Sequence, residues 1–172
     1  SGGGVKETFL RWFKKTNSWE EAAWKTWMNL GYGATGSSPE LSSKLQYFRD
    51  GHDEAIMNRD RLLTRAISVV GEMQDNYKAP EKPVIQLANK DLSEKMDEFM
   101  QAGVERGDFM PHDKTVAITI GSIMLNDTVS DGKCDETTFY QRERKAFISL
   151  AKTKKTYARI SSMLDDGSPI RN

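Results

Sequence analysis

Apolar side chains recur at spacings of three and four along nearly the whole chain, the period of a helix that buries one face. Val5, Phe9, Trp12 and Phe13 fall on one stripe between Val5 and Lys15. In NSWEEAAWKTWMNLG, Trp19, Ala23, Trp27 and Leu30 line a second stripe, and Trp24 and Met28 widen it. Ser18 and Glu21 stand at capping-box spacing in front of that stripe, and Gly31 is a natural stop. The most regular stretch is NRDRLLTRAISVVGEMQDNY. There Leu62, Leu63, Ala66, Ile67, Val70 and Met73 make a broad apolar band behind Asn58, a favourable cap.

Between these helices, GATGSSPELSSKLQYFRDGHD reads as loop, short helix and loop, with Ser38 capping and Pro39 at the first helical position. Pro80 and Pro83 break the period and predict an extended connector over residues 76–90, the clearest internal boundary. DLSEKMDEFMQAGVERG restarts a helix, with Asp91 and Glu94 at capping-box spacing. PHDKTVAITIGSIML fits two periods: Val116, Ile118 and Ile120 alternate as in a strand, while Val116, Ile120, Ile123 and Met124 match a helix. Its length and acidic start favour the helix. A turn-rich loop, NDTVSDGK, precedes two last helices that Gly167 and Pro169 end. The expected fold is all-α, a helical array of about seven or eight helices.

Composition narrows the class of partner. The 172 residues carry 25 Lys and Arg against 25 Asp and Glu. Nucleic acid and anionic membrane surfaces call for a basic excess, and there is none. No run of 18 apolar residues occurs, so no membrane span is expected. The single cysteine, Cys134, has no internal disulfide partner, which fits a reducing cytoplasm.

Few residues carry chemistry. The opening SGGGVKE could cradle phosphate on a helix N-terminus, but it has neither the Lys-Ser/Thr of a phosphate loop nor a strand in front of it. On these residues alone a cloning scar ranks ahead of a ligand loop. His52–Asp53 and His112–Asp113 are the two histidines and their neighbours, and no further ligand stands at metal-binding spacing. Asp113 is better placed to stabilise the start of a helix. Cys134 lies among Asp131, Asp135 and Glu136, which raise a thiol's pKa, so an inert loop thiol is expected. Gln141 to Lys145, QRERK, reads as a solvated helix face. No catalytic residue and no metal ligand is assigned, and no cofactor-binding residue is identified. All four tryptophans lie within the first 27 residues, more aromatic surface than two short helices bury against each other. A covering partner is expected beside residues 1–57.

Five segments, in order, resemble the C-terminal third of a bacterial bifunctional 3-hydroxyacyl-CoA dehydrogenase/enoyl-CoA hydratase. They are Gly2–Glu7, Met57–Leu63, Pro111–Lys114, Glu143–Leu150 and Lys155–Asn172. In the last, Lys155, Thr156, Arg159, Ile160, Met163, Leu164, Gly167, Pro169, Arg171 and Asn172 follow the family pattern. Arg142 and Lys145 stand where the pattern has Leu and Glu, and Ser168 and Ile170 where it has Lys and Leu.

The resemblance implies that residues 1–57 are the last helices of a crotonase-type domain and residues 58–172 a helical extension. The three glycines would then mark a point inside a larger fold. It further implies an intact enzyme of fatty-acid β-oxidation that uses NAD and acyl-CoA. Its catalytic glutamate, oxyanion amides and dinucleotide-binding glycines would lie outside this chain. The partners implied are the missing dehydrogenase and crotonase core, and a homo-oligomer is a further expectation. With the tryptophans deprived of that core, the first helices are expected either to repack on residues 58–172 or to self-associate. The alternative is a stand-alone helical interaction module that docks through its aromatic helices.

Overall fold

The computed structural model describes residues 4–127 and 131–172. Gly2 and Gly3 of the triple glycine lie outside the described residues, while Gly4 opens the first helix. Eight α-helices are described: α1 (Gly4–Thr16), α2 (Trp19–Gly31), α3 (Pro39–Lys44), α4 (Leu62–Met73), α5 (Leu92–Glu105), α6 (Pro111–Met124), α7 (Glu136–Ala151) and α8 (Lys154–Asp165). Two short strands, β1 (Ile85–Gln86) and β2 (Lys133–Cys134), complete the order. The all-α expectation is met. Among the described residues, no helix is long and apolar enough to cross a membrane.

Local chemistry explains most boundaries. Ser18 Oγ accepts the Glu21 amide at 3.2 Å, and Ser38 Oγ accepts that of Leu41 at 3.3 Å with Pro39 following. The Asp135 and Thr153 side chains cap α7 and α8 by accepting from Thr138 and Thr156 at 2.7 and 3.2 Å. Asp91 does not cap α5. Its own backbone is already helical (φ −59°), and Asn89 Oδ1 takes the Asp91 amide at 3.0 Å instead. PHDKTVAITIGSIM forms a helix throughout, and the Thr119 hydroxyl bonds back to the Thr115 carbonyl at 2.8 Å.

The chain packs as two units. One comprises residues 1–34 and 83–172, and the other residues 35–82. These units follow Cα packing, whereas the division after residue 57 follows the family resemblance. In the larger unit, α6 packs against α1, α2, α5 and α7. Phe9, Trp27, Ile85, Met96, Met124 and Phe139 are fully buried. Gly121 lets α6 pass close to that core: a Cβ there would lie 2.7 Å from Met96 Sδ and 3.4 Å from the Trp27 ring.

The proline connector does more than connect. Ile85 pairs with Cys134 and Gln86 with Lys133, antiparallel. Ala88 donates its amide to the Met124 carbonyl at 2.9 Å and accepts from Asn126 at 2.8 Å. Ile85, Leu87 and Ala88 are buried, so part of the predicted linker is core.

The smaller unit holds α3, a 3-10 turn over Arg59–Arg61 and α4. Asn58 Oδ1 accepts the Asp60 amide at 2.9 Å, so it caps that turn rather than α4 itself. Arg65 joins Glu54 and Glu72 at 3.0 and 2.8 Å. No residue of α4 is buried, and its apolar band is open: Leu63 is 72% exposed, Ile67 64% and Val70 68%.

Candidate functional site

The tryptophans are covered by their own chain. Trp27, 1% exposed, donates Nε1–H to the Ala117 carbonyl of α6 at 2.8 Å and meets Phe99 edge-on at 5.7 Å. Trp19 stacks on Phe13 at 3.6 Å between centroids, and Trp24 lies 5.0 Å from Trp27. The ammonium groups of Lys15 and Lys25 lie 5.4 and 5.1 Å from the Trp12 ring. The covering partner expected beside residues 1–57 is, for these side chains, supplied by α5 and α6 and by the α1–α2 pair itself.

The polar residues converge where α8 and the C-terminal segment meet the start of α6. His112 is buried, and its Nε2 lies 2.8 Å from Thr156 Oγ1. Burial pushes the imidazole pKa below its ordinary value, and the charges of Arg159 and Lys155 push the same way. Asp113 accepts the Met110 amide at 2.8 Å and pairs with Arg159 at 2.8 Å. Arg159 Nε also donates to Asn172 Oδ1 at 2.9 Å, and Asn172 Nδ2 donates to the Lys155 carbonyl at 3.1 Å. So His112 and Asp113 do not act as a pair on one group. His112 holds α8, and Asp113 both caps α6 and ties it to α8.

A second polar junction fixes α1 to α7. The Lys6 amide donates to Glu143 Oε1 at 2.7 Å, and the Lys6 ammonium bonds Glu136 and lies 2.8 Å from Glu7. Burial works against charge on Lys6, but Glu136, Glu7 and Tyr140 outweigh it and hold its pKa above the ordinary lysine value. Glu143 is 3% exposed, which corrects the reading of QRERK as a solvated face. Arg142 corrects it further. Its guanidinium donates to the carbonyls of Ser122, Ile123 and Leu125 at 2.6–2.9 Å and to Asp127 at 2.9 Å, closing the end of α6. Its neighbours in sequence gave no sign of this, because a long side chain reaches back 17–20 residues.

Cys134 is buried in β2 rather than free in a loop. Burial pushes its thiol pKa up, with Asp135 adding to that and Arg142 opposing it. His52 belongs to the smaller unit, where Asp53 is engaged by Arg49 at 2.6 Å. Among the described residues, no three His, Cys, Asp or Glu side chains gather as a metal site.

A cleft opens beside the α6 junction. It has a volume of about 460 Å3, with Trp27, Met100 and Ala117 among its lining residues and Tyr32, Asp108 and Arg171 at its more exposed parts. A smaller cavity of about 300 Å3, mainly apolar, lies along α6, α7 and α8.

Compared with known proteins, the chain is 25% identical over 177 residues to a protein of Bacillus subtilis (strain 168) named "Probable 3-hydroxyacyl-CoA dehydrogenase". The chain is similar to one part of a dehydrogenase. The alignment takes in 99% of this chain but 22% of that relative, so the chain spans about a fifth of its length. No family model and no solved structure matches.

Four of the five segments that carried the resemblance pair up within the larger unit. Lys6, in the first of them, bonds Glu143 in the fourth. His112 and Asp113, in the third, bond Thr156 and Arg159 in the last. Their work in this chain is to hold helices together.

Proposed function

We propose that this chain is a non-catalytic helical part of a larger 3-hydroxyacyl-CoA dehydrogenase, where it serves as scaffold between domains. The observation that carries this reading is the match along 99% of the chain to a limited part of a dehydrogenase. The structural use of the matching residues supports it, since His112, Asp113, Glu143 and Arg159 each bond a group on another helix or at a helix end. In this reading the intact protein oxidises 3-hydroxyacyl-CoA with NAD, hydrates 2-enoyl-CoA through a crotonase-type domain, and works in fatty-acid β-oxidation.

The described residues do not fit NAD. The dinucleotide fold needs a strand that runs through a glycine-rich turn into a helix. Here β1 and β2 have two residues each and form one small pair with no such turn. The cofactor, the acyl-CoA thioester and the catalytic groups therefore belong to other parts of the parent. Alone, this chain is inactive.

In this reading α4 is the docking face. An apolar band with Leu63, Ile67 and Val70 mostly exposed leaves favourable burial unused, at about 1.5–3 kcal/mol for each large side chain. The same face is what favours the second reading, a stand-alone docking module. The two separate on the native gene product purified from its own host beside this 172-residue chain. A much larger protein that hydrates crotonyl-CoA and reduces NAD, beside an inactive chain, supports the dehydrogenase reading. A native product of about this size without acyl-CoA activity overturns it in favour of the module.

A further inference from the structure

The cleft beside α6 has the build of a binding site that the scaffold role does not use. Its lining runs from apolar and buried to charged and exposed. Trp27, Met100 and Ala117 are 1%, 5% and 2% exposed, while Tyr32 is 53% exposed and Arg171 is exposed. At about 460 Å3 it falls within the size range of small-molecule pockets. Tyr32 meets Phe109 edge-on at 5.5 Å, giving one aromatic wall, and Met28 and Met100 offer adaptable thioether surface.

The charges at this cleft are unequally satisfied. Asp108 is paired with Arg106 at 2.8 Å, and Asp113 with Arg159 at 2.8 Å. Each carboxylate thus has its own guanidinium. The guanidinium of Arg171 has no such ion pair among the described residues. The uncompensated charge at the cleft is one positive group, planar and suited to a bidentate acceptor. A single carboxylate matches the one guanidinium, whereas the second charge of a dianion would have no partner at the cleft.

The geometry points to a binding site for a small amphipathic carboxylate, its aromatic or short alkyl body against Trp27, Met100 and Phe109 and its carboxylate on Arg171. This assignment rests on the cleft alone and does not depend on the dehydrogenase reading.

The test is an NMR titration of the 172-residue chain with 4-phenylbutyrate and, separately, with 4-phenylbutyramide, which has the same body and no charge. Saturable shifts are expected at the amides of Gly31, Ala117 and Arg171, with the acid binding about fivefold more tightly than the amide. Arg171→Gln should bring the two probes to equal affinity. Gly31→Leu should abolish binding of both while leaving the fold intact. A Cβ at Gly31 makes only ordinary contact with Ala117 Cβ, at 3.9 Å, and the larger side chain then fills the cleft. The assignment is overturned if millimolar probe gives no saturable shift, or if the shifts gather on α4 instead. Equal affinities of acid and amide in the unsubstituted chain overturn it too, as does undiminished binding by Gly31→Leu.

Discussion

The aromatic helices α1 and α2 and the apolar helix α4 present the same kind of sequence and meet opposite fates. Each shows a broad apolar stripe at helical spacing. In the first pair that stripe is covered: Phe9 and Trp27 are buried, and Phe9 stacks on Phe139 of α7 at 6.0 Å. In α4 it stays open, with no buried residue at all. Periodicity reports that a face is fit for burial. It does not report what buries it.

The comparison breaks most sharply under truncation of the two faces. Trp27→Ala should cost about 3–5 kcal/mol, since it empties the core and removes the Nε1–H bond to the Ala117 carbonyl. Chemical denaturation of the 172-residue chain measures it, and a loss below 1 kcal/mol would mean that the aromatic helices are not packed as described. Arg142→Leu comes next. Removing a charged donor from the carbonyls that end α6 should cost about 1.5–3 kcal/mol.

A smaller effect is tied to acid. His112 has a lowered pKa in the folded chain, so the unfolded chain takes up a proton first as the pH falls. Its stability contribution is intact above the ordinary histidine value of about 6.5 and declines as the pH drops through and below it. Thermal melts from pH 8 to 5.5 should show that decline, and His112→Gln should flatten it. The smallest effect belongs to α4. Ile67→Ser and Val70→Ser should each change the stability of this chain by no more than about 0.5 kcal/mol. A loss of 2 kcal/mol would show that the α4 face is covered after all.

Much of the fold was legible because helices declare themselves locally. Ser18, Ser38 and Gly167 mark ends that the structure keeps, the last with φ +65°. The strands were not legible, since two residues such as Ile85–Gln86 carry no period and pair with a partner nearly 50 positions away. The polar junctions escaped for the same reason. Nothing near Arg142 or Glu143 in sequence shows that one reaches the end of α6 and the other the Lys6 amide. Asp113 was placed correctly at a helix start, because that role depends on neighbours three residues away. The cover of the tryptophans is not local in sequence: α5 and α6, which supply part of it, lie 70–90 residues further along, in keeping with repacking on residues 58–172.

The central claim is the proposal that α4 is a docking face for the rest of a larger protein. Hydrogen exchange tests it most directly, run on the 172-residue chain and on the intact native gene product under the same conditions. Protection of residues 62–73 should rise by at least tenfold in the intact protein, while that of residues 22–27 should stay the same. Equal exchange of 62–73 in both would contradict the claim and leave α4 without a partner in the intact gene product.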